Sequence, residues 1–265
     1  MPIDLTGRVA VVTGAAGRLG TVWSGALLSA GADVLGLDLA ASVPAPLADL
    51  PAGSGRYLPL AADVTSRASL RAALATCLDR LGSPSVLVNN AGIDHPPSAA
   101  HGGWAFADVP EDSVGAILDV NVRGVLLVCQ VFGAHLAERG RGSVVNIGSL
   151  YGNVAPYQPL YSHIPLDPPF LKHPAYGMSK GAVHNLTRYL AAHWGPAGVR
   201  VNTLSPGGVL GGQDPEFRRK FAERVPLGRM AVDGDLTGPL LFLASDLSGY
   251  VTGQELLLDG GYVSW

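Results

Sequence analysis

Apolar residues recur along the chain in two rhythms. Short runs stand at "VAVV" (9–12), "ADVLGLD" (32–38), "RYLPLAADV" (56–64), "SVLVNNAG" (85–92), "GSVVNIGS" (142–149), "VRVNTLSPG" (199–207) and "QELLLDGG" (254–261). Most are separated by helix-length segments. After the first run, Leu19, Val22, Trp23, Ala26, Leu27 and Ala30 fall three and four apart, one apolar face of a helix that Gly31 stops. Seven strand candidates alternating with helices predict an α/β fold: a Rossmann-type, doubly wound parallel sheet of about seven strands with helices on both faces. With no internal repeat and no second block of structure, residues 1–265 read as a single domain.

Two segments keep neither rhythm. Ala41 to Gly55, rich in proline and small residues, reads as a surface excursion between the second and third strands. Tyr151 to Pro174 holds Tyr157, Tyr161, Phe170, His163, His173 and a scatter of prolines. A loop that long inside a compact domain is functional or disordered, and its aromatic content argues against disorder.

Composition removes some function classes. Eighteen Lys and Arg against 21 Asp and Glu give a formal charge of −3, with no run of like charge and no basic stripe to track a phosphate backbone, so nucleic acid is not the expected partner. Cys77 and Cys129 fall in helical segments, which supports neither a disulfide framework nor a metal site and fits a reducing, cytoplasmic setting. The opening "MPIDLTGRVAVVTG" has no signal-like segment, and no stretch approaches the ~18 uninterrupted apolar residues of a membrane span.

Chemistry enters at "TGAAGRLG", residues 13–20, between the first strand and the first helix. Gly14 permits a tight turn, Gly17 and Gly20 permit close approach of backbone, and the helix N-terminus offers free N–H groups to an anion. A glycine triad alone is equally a plain strand-to-helix turn. Asp38, 24 positions after Gly14 at the end of the second strand, makes it specific, because an acidic side chain there can accept the ribose hydroxyls of a dinucleotide and repels a 2′-phosphate. NAD is therefore expected over NADP. Arg18 leaves an alternative open: it is a solvated first-turn side chain, or it neutralises Asp38 or reaches a 2′-phosphate.

Together with "ADV" (62–64), "NNAG" (89–92), "DVNVRG" (119–124), "VNIGS" (145–149), "YGMSK" (176–180), "SPGGV" (205–209), "PLGRMA", "LFLASD" and "TGQELLLDGG", these residues resemble the short-chain dehydrogenase/reductase family from about Leu5 to the C-terminus. The resemblance implies hydride transfer between a secondary alcohol and NAD, with catalytic residues Asn121, Ser149, Tyr176 and Lys180. Tyr176 is implied as general acid or base, its ordinary pKa of ~10 lowered by the ammonium of Lys180 one helical turn away. Lys180 is also implied to hold the nicotinamide ribose. Ser149 is implied to bond the substrate oxygen, and Asn121 to hold a water in a proton relay. Leu19, Asp63, Val64, Asn90, Ala91, Gly92, Pro206, Gly207 and Val209 are implied to complete the cofactor's path. From the residues alone, Ser149 is equally a cap, Asn121 a kink and Asn90 a tie between backbone segments.

The chain departs from the family pattern in three places. Arg18 stands where glycine is common, and Gly211 where a threonine often follows the proline-glycine turn. Ser149 and Tyr176 lie 27 positions apart (176 − 149), roughly twice the usual spacing, so about a dozen residues have been added. Tyr161, inside this insertion, has Pro165 and not lysine four places on, which excludes it as the base. Residues 152–174 are predicted to wall the substrate, with Tyr157, Tyr161, His163 and Phe170 as contacts; the alternatives are outward packing or a subunit contact. His95 is a further candidate. Aromatic rings with polar edges suit a sugar, polyol or other polar cyclic alcohol. Competing readings are a dinucleotide-binding scaffold or redox sensor, and an epimerase or dehydratase using tightly held NAD. The family commonly forms tetramers, and a homotetramer or dimer is expected.

Overall fold

In the computed structural model, which describes residues 3–51, 53–95 and 103–265, the seven runs are strands β1 (Val9–Thr13), β2 (Asp33–Asp38), β3 (Tyr57–Ala61), β4 (Val86–Asn89), β5 (Gly142–Ile147), β6 (Val199–Pro206) and β7 (Glu255–Leu258). They form one parallel sheet in the order β3-β2-β1-β4-β5-β6-β7. The direction of winding reverses between β1 and β4, which opens a crevice at the carboxyl ends of those strands.

Alternate residues of each strand serve opposite faces. Val9, Val11, Leu35, Leu37 and Val144 pack against helices α2 (Arg67–Arg80), α3 (Glu111–Glu138) and α4 (Pro174–Trp194). Ala10, Val12, Val34, Val145 and Leu204 pack against α1 (Arg18–Ser29) and α6 (Asp233–Ala244). A period of two with both sets apolar is what a sheet covered on both faces requires. Gly31 ends α1 with φ +90°, and a Cβ there would lie 2.5 Å from the Thr6 hydroxyl, so both the turn and the contact call for glycine.

By length and mean hydropathy (1.6) α3 passes as a membrane span, although polar residues interrupt its apolar run. Its apolar side chains have another use: Val128, Phe132 and Leu136 are buried against the sheet. Two wide turns of π type, Asp119–Gly124 and Cys129–Gly133, interrupt it, the first carrying Asn121. Cys77 and Cys129 are free and buried, and burial pushes both thiols up to about 12.

The excursion after β2 contains a single helical turn, Ala45–Ala48. The long insertion is not loose. Tyr161, Phe170 and Leu160 are buried with Leu150, Tyr262 and Phe221, the last from α5 (Pro215–Ala222), in a third apolar cluster. Each large side chain so buried contributes roughly 1.5–3 kcal/mol, enough together to order a segment that has little regular structure.

Candidate active site

A cleft of about 960 Å³ lies over the winding reversal, floored by the turn after β1. Gly14 has φ +63°, and a Cβ there would stand 2.8 Å from Ala91 Cα; a Cβ on Gly20 would stand 2.0 Å from the Gly14 carbonyl oxygen. Both glycines are thus required by the protein's own backbone. Gly17 is different: its Cβ would meet only that carbonyl, at 3.3 Å, and otherwise the cleft. Its bareness leaves the N-terminus of α1 open to an anionic group, with Leu19 alongside.

Asp38 is held at the cleft by two backbone donors, Ala16 N–H to Oδ2 (2.9 Å) and Leu39 N–H to Oδ1 (2.8 Å). Each oxygen keeps capacity for a further hydroxyl. Asp63 accepts both Thr65 N–H (2.8 Å) and the Thr65 hydroxyl (2.7 Å) on Oδ1, and with Val64 continues the same wall. Ala91, Gly92, Pro206, Gly207 and Val209 line the remainder. Asn90 also lines the cleft, but its amide is committed elsewhere: it donates to the Thr13 and Gly14 carbonyls (both 3.0 Å) and accepts from Trp23 Nε1 (2.9 Å). Its side chain is a backbone tie. An anion cradle at a helix N-terminus followed by a carboxylate with free acceptor capacity fits a dinucleotide's pyrophosphate and ribose.

Arg18 does not pair with Asp38. Its guanidinium crosses the cleft mouth to the loop after β6, donating to the Val209 carbonyl (3.3 Å) and the Leu210 carbonyl and pairing with Asp233 (3.0 Å). Gly211 stands beside it. A Cβ at that position would lie 2.6 Å from Arg18 Nη1, so a side chain at 211 and this placement of the arginine compete for one space.

A second cavity of about 990 Å³ opens from the cleft, and Asp94, Ser149, Tyr176, Gly207 and Val209 line both. Their junction is where reacting atoms can meet. Ser149 follows β5 and caps a short turn, its Oγ accepting Tyr151 N–H (3.2 Å). Tyr176 and Lys180 share one face of α4, which Pro174 begins and the His173 side chain caps. Lys180 is buried, its Nζ donating to the Ile147 carbonyl (2.8 Å) and lying 5.7 Å from the centre of the Tyr176 ring.

The electrostatics correct one expectation. Tyr176 is pushed up, not down: burial of the ring is the main cause, the negative Asp94 adds to it, and the hydrogen bond with Ser149 opposes both. Lys180 is itself depressed to about 8 by burial. Its charge points at a carbonyl, so in this form of the site desolvation of the phenolate outweighs the ammonium. The Asn121 side chain is committed to the protein. Its Nδ2 donates to the Ile93 carbonyl (2.9 Å) and Ser179 Oγ (3.1 Å), and its Oδ1 accepts Ile93 N–H (2.8 Å). The amide has no N–H left for a water, and its visible work is to pin the strand-end segment that carries Asp94.

The insertion divides. Tyr161 and His163 line the second cavity, Tyr161 hydrogen-bonded to Tyr151 and His163 to Asp214 (2.8 Å). Tyr157 does not: it is exposed and stacks on the Arg224 guanidinium, 3.9 Å from the ring centre. Phe170 packs behind Tyr161, outside the cavity lining (ring centres 4.8 Å apart). His95 lines neither cavity, and its ring meets His173 edge-on at 5.2 Å. Residues the sequence reading missed are Asp94, Lys172, Tyr151, Gln213 and Phe217. Asp94 and Tyr151 directly follow recognised motifs, a usable signal; Lys172, Gln213 and Phe217 come close only through folding.

A family model described as short chain dehydrogenase matches residues 8–163, and one described as enoyl-(acyl carrier protein) reductase matches residues 168–263. A galactitol 2-dehydrogenase (L-tagatose-forming) of Cereibacter sphaeroides is 34% identical over 268 residues, 98% of this chain and 97% of that protein. Among solved structures, a short chain dehydrogenase from Leptospira borgpetersenii with bound NAD+ superposes with a TM-score of 0.83 at 31% identity, covering 98% of this chain and 94% of that one. A gluconate 5-dehydrogenase from Burkholderia cenocepacia, in complex with NADP and tartrate, gives 0.85 at 30% identity, covering 100% and 98%.

Proposed function

The chain belongs to the short-chain dehydrogenase family, an oxidoreductase with a nicotinamide dinucleotide cofactor, and we propose that it moves hydride between a secondary alcohol and its ketone on a sugar or polyol, with NAD preferred. The observation that carries this reading is the junction itself: Ser149 and Tyr176 stand where a dinucleotide-sized cleft meets a cavity of aromatic rings and polar groups. The relative acting on galactitol supports the substrate class, and the carboxylate of Asp38 supports NAD.

In alcohol oxidation the substrate loses a hydride from carbon and a proton from oxygen. A nicotinamide dinucleotide would supply the hydride acceptor and, in its oxidised form, a positive charge over the site. Tyr176 takes the proton and returns it in the reverse direction. Ser149 holds the oxygen through both, where charge develops. Lys180, protonated at neutral pH with its pKa near 8, favours the phenolate and is placed to hold ribose hydroxyls. Asp38 takes the adenosine ribose. Asn121 acts at one remove by fixing Ile93.

The test is dinucleotide reduction by purified protein across polyols, sugars, hydroxy acids and steroids, with NAD and NADP in parallel. Oxidation of a polyol or sugar with NAD is expected, lost by a factor on the order of 10²–10⁴ in Tyr176→Phe. Undiminished turnover in that variant, or reduction of NADP alone, overturns the reading. Assembly as a dimer or tetramer belongs to the same proposal, motivated by exposed Leu126 on α3 and Tyr189 on α4; a monomer by light scattering would remove it.

A further inference from the structure

Asp94 and Lys172 belong to none of the motifs that identify the family, yet they form an ion pair at the reacting junction, Nζ to Oδ2, 2.5 Å. Lys172 is 7% exposed and Asp94 36%. Lys172 Nζ lies 5.0 Å from the centre of the Tyr176 ring, nearer than Lys180 at 5.7 Å. Both members of the pair line the second cavity, and Asp94 lines the cofactor cleft as well.

A pair that serves only to hold the fold uses its hydrogen-bonding groups on the protein. This one leaves them open. Lys172 has three N–H donors, and its one hydrogen bond among the described residues goes to Asp94. Asp94 takes His95 N–H on Oδ1 (2.8 Å) and Lys172 on Oδ2, which leaves acceptor capacity on both oxygens. Donors and acceptors stand side by side on the cavity wall that also carries Ser149 and Tyr176. A ligand group that both donates and accepts satisfies such a pair, and a hydroxyl is the smallest organic group that does so at one atom. A buried lysine beside the proton acceptor is costly unless it remains paired, and Asp94 supplies that partner.

We propose that the Asp94–Lys172 pair binds the hydroxyl on the carbon next to the one oxidised, so that the enzyme selects alcohols with neighbouring hydroxyls over isolated secondary alcohols. This rests on the alcohol-oxidation reading above. A neighbouring hydroxyl donates to the Asp94 carboxylate and accepts from the Lys172 ammonium. A substrate with hydrogen in place of that hydroxyl strips water from both charges and replaces nothing, the situation in which a hydrogen-bonding site discriminates most strongly.

The proposal is tested with a matched pair, 2,3-butanediol and 2-butanol. Wild type is expected to favour the diol in kcat/KM by roughly 100-fold, and the double variant Asp94→Asn/Lys172→Gln, which buries no unpaired charge, to narrow that preference by roughly 10- to 100-fold, the ratio cancelling any effect on Tyr176 that both alcohols share. A second readout needs no turnover. In a Tyr176→Phe background, which keeps the ring but not the exchangeable proton, diol affinity measured by calorimetry with dinucleotide present should weaken by a similar factor when the double variant is added.

Equal losses on both alcohols, or unchanged diol affinity in the Phe background, overturn the proposal. Should the double variant not fold, Asp94→Asn alone must still narrow the diol preference by about tenfold, and an unchanged preference overturns it equally. A wild-type protein inactive on every alcohol, whose diol binding nonetheless depends on the pair, would refute the reaction and support the anchor.

Discussion

Replacing Asp38 with alanine should move this protein from NAD toward NADP, and the size of the shift follows from charge. Two unit charges at ~4 Å interact by about 1 kcal/mol in water and about 4 kcal/mol at an effective dielectric near 20. Asp38 is half-buried at the cleft, so about 2 kcal/mol per unit charge is appropriate. A 2′-phosphate carries about −1.5 to −2, giving about 3–4 kcal/mol of repulsion that the variant removes. At tenfold per 1.4 kcal/mol, the kcat/KM ratio of NADP to NAD should rise by roughly 10²–10³. Part of this comes from the NAD side, where the ribose hydroxyls lose their acceptor. The fold should tolerate the change, since the two N–H groups released, on Ala16 and Leu39, belong to exposed residues and can turn to water. The assay is initial rates with both dinucleotides on wild type and variant, reported as a ratio so that general losses cancel. Raising salt to ~1 M, where screening reaches in to ~3 Å, should shrink the wild-type preference. A ratio that moves less than about threefold, or a wild type already faster with NADP, refutes the reasoning.

Two further predictions concern the departures and the buried lysine. Gly211→Thr alone should push the Arg18 guanidinium from its carbonyls and Asp233 and raise the KM for dinucleotide, by roughly fivefold since the arginine is partly exposed; adding Arg18→Gly should restore it, and additive losses in the double variant would disprove the coupling. Lys180 is depressed from 10.5 to about 8 by burial, so below pH 8 the folded state carries the whole penalty of a buried ammonium, and between about 8 and 10.5 the unfolded chain binds the proton that the folded one lacks. Stability of wild type relative to Lys180→Met should therefore rise with pH across that window by on the order of 3 kcal/mol. Denaturant titrations at several pH values check it, and a flat difference contradicts the burial.

The strands were legible because each is an apolar run closed by a turn residue, and all seven fall where the pattern predicts them. The glycine turn, Asp38 and the Tyr176–Lys180 spacing were legible for a related reason: each is a local arrangement, complete within a few residues of chain. The insertion was harder. Its aromatic content correctly implied order, but which aromatics face the substrate depends on what packs behind them, and Tyr157 met Arg224 while Phe170 met Tyr161. The expectation for Tyr176 erred on electrostatics for the same cause. Spacing shows that an ammonium is one turn away; it does not show that the Ile147 carbonyl accepts its hydrogen bond or that the ring is buried.

Sequence alone settled the alternation of strand and helix, the two-sided core and the family motifs, since these depend on residue type at short, fixed separations. Tertiary structure decided what depends on separations of many residues. It brought Lys172 across 78 positions to Asp94, carried Arg18 across the cleft to Asp233 and the bare Gly211, and used up the amides of Asn90 and Asn121 on neighbouring backbone. The physical reason is that a side chain's charge, hydrogen bonds and solvent are properties of its surroundings, and the surroundings exist only once the chain has closed on itself.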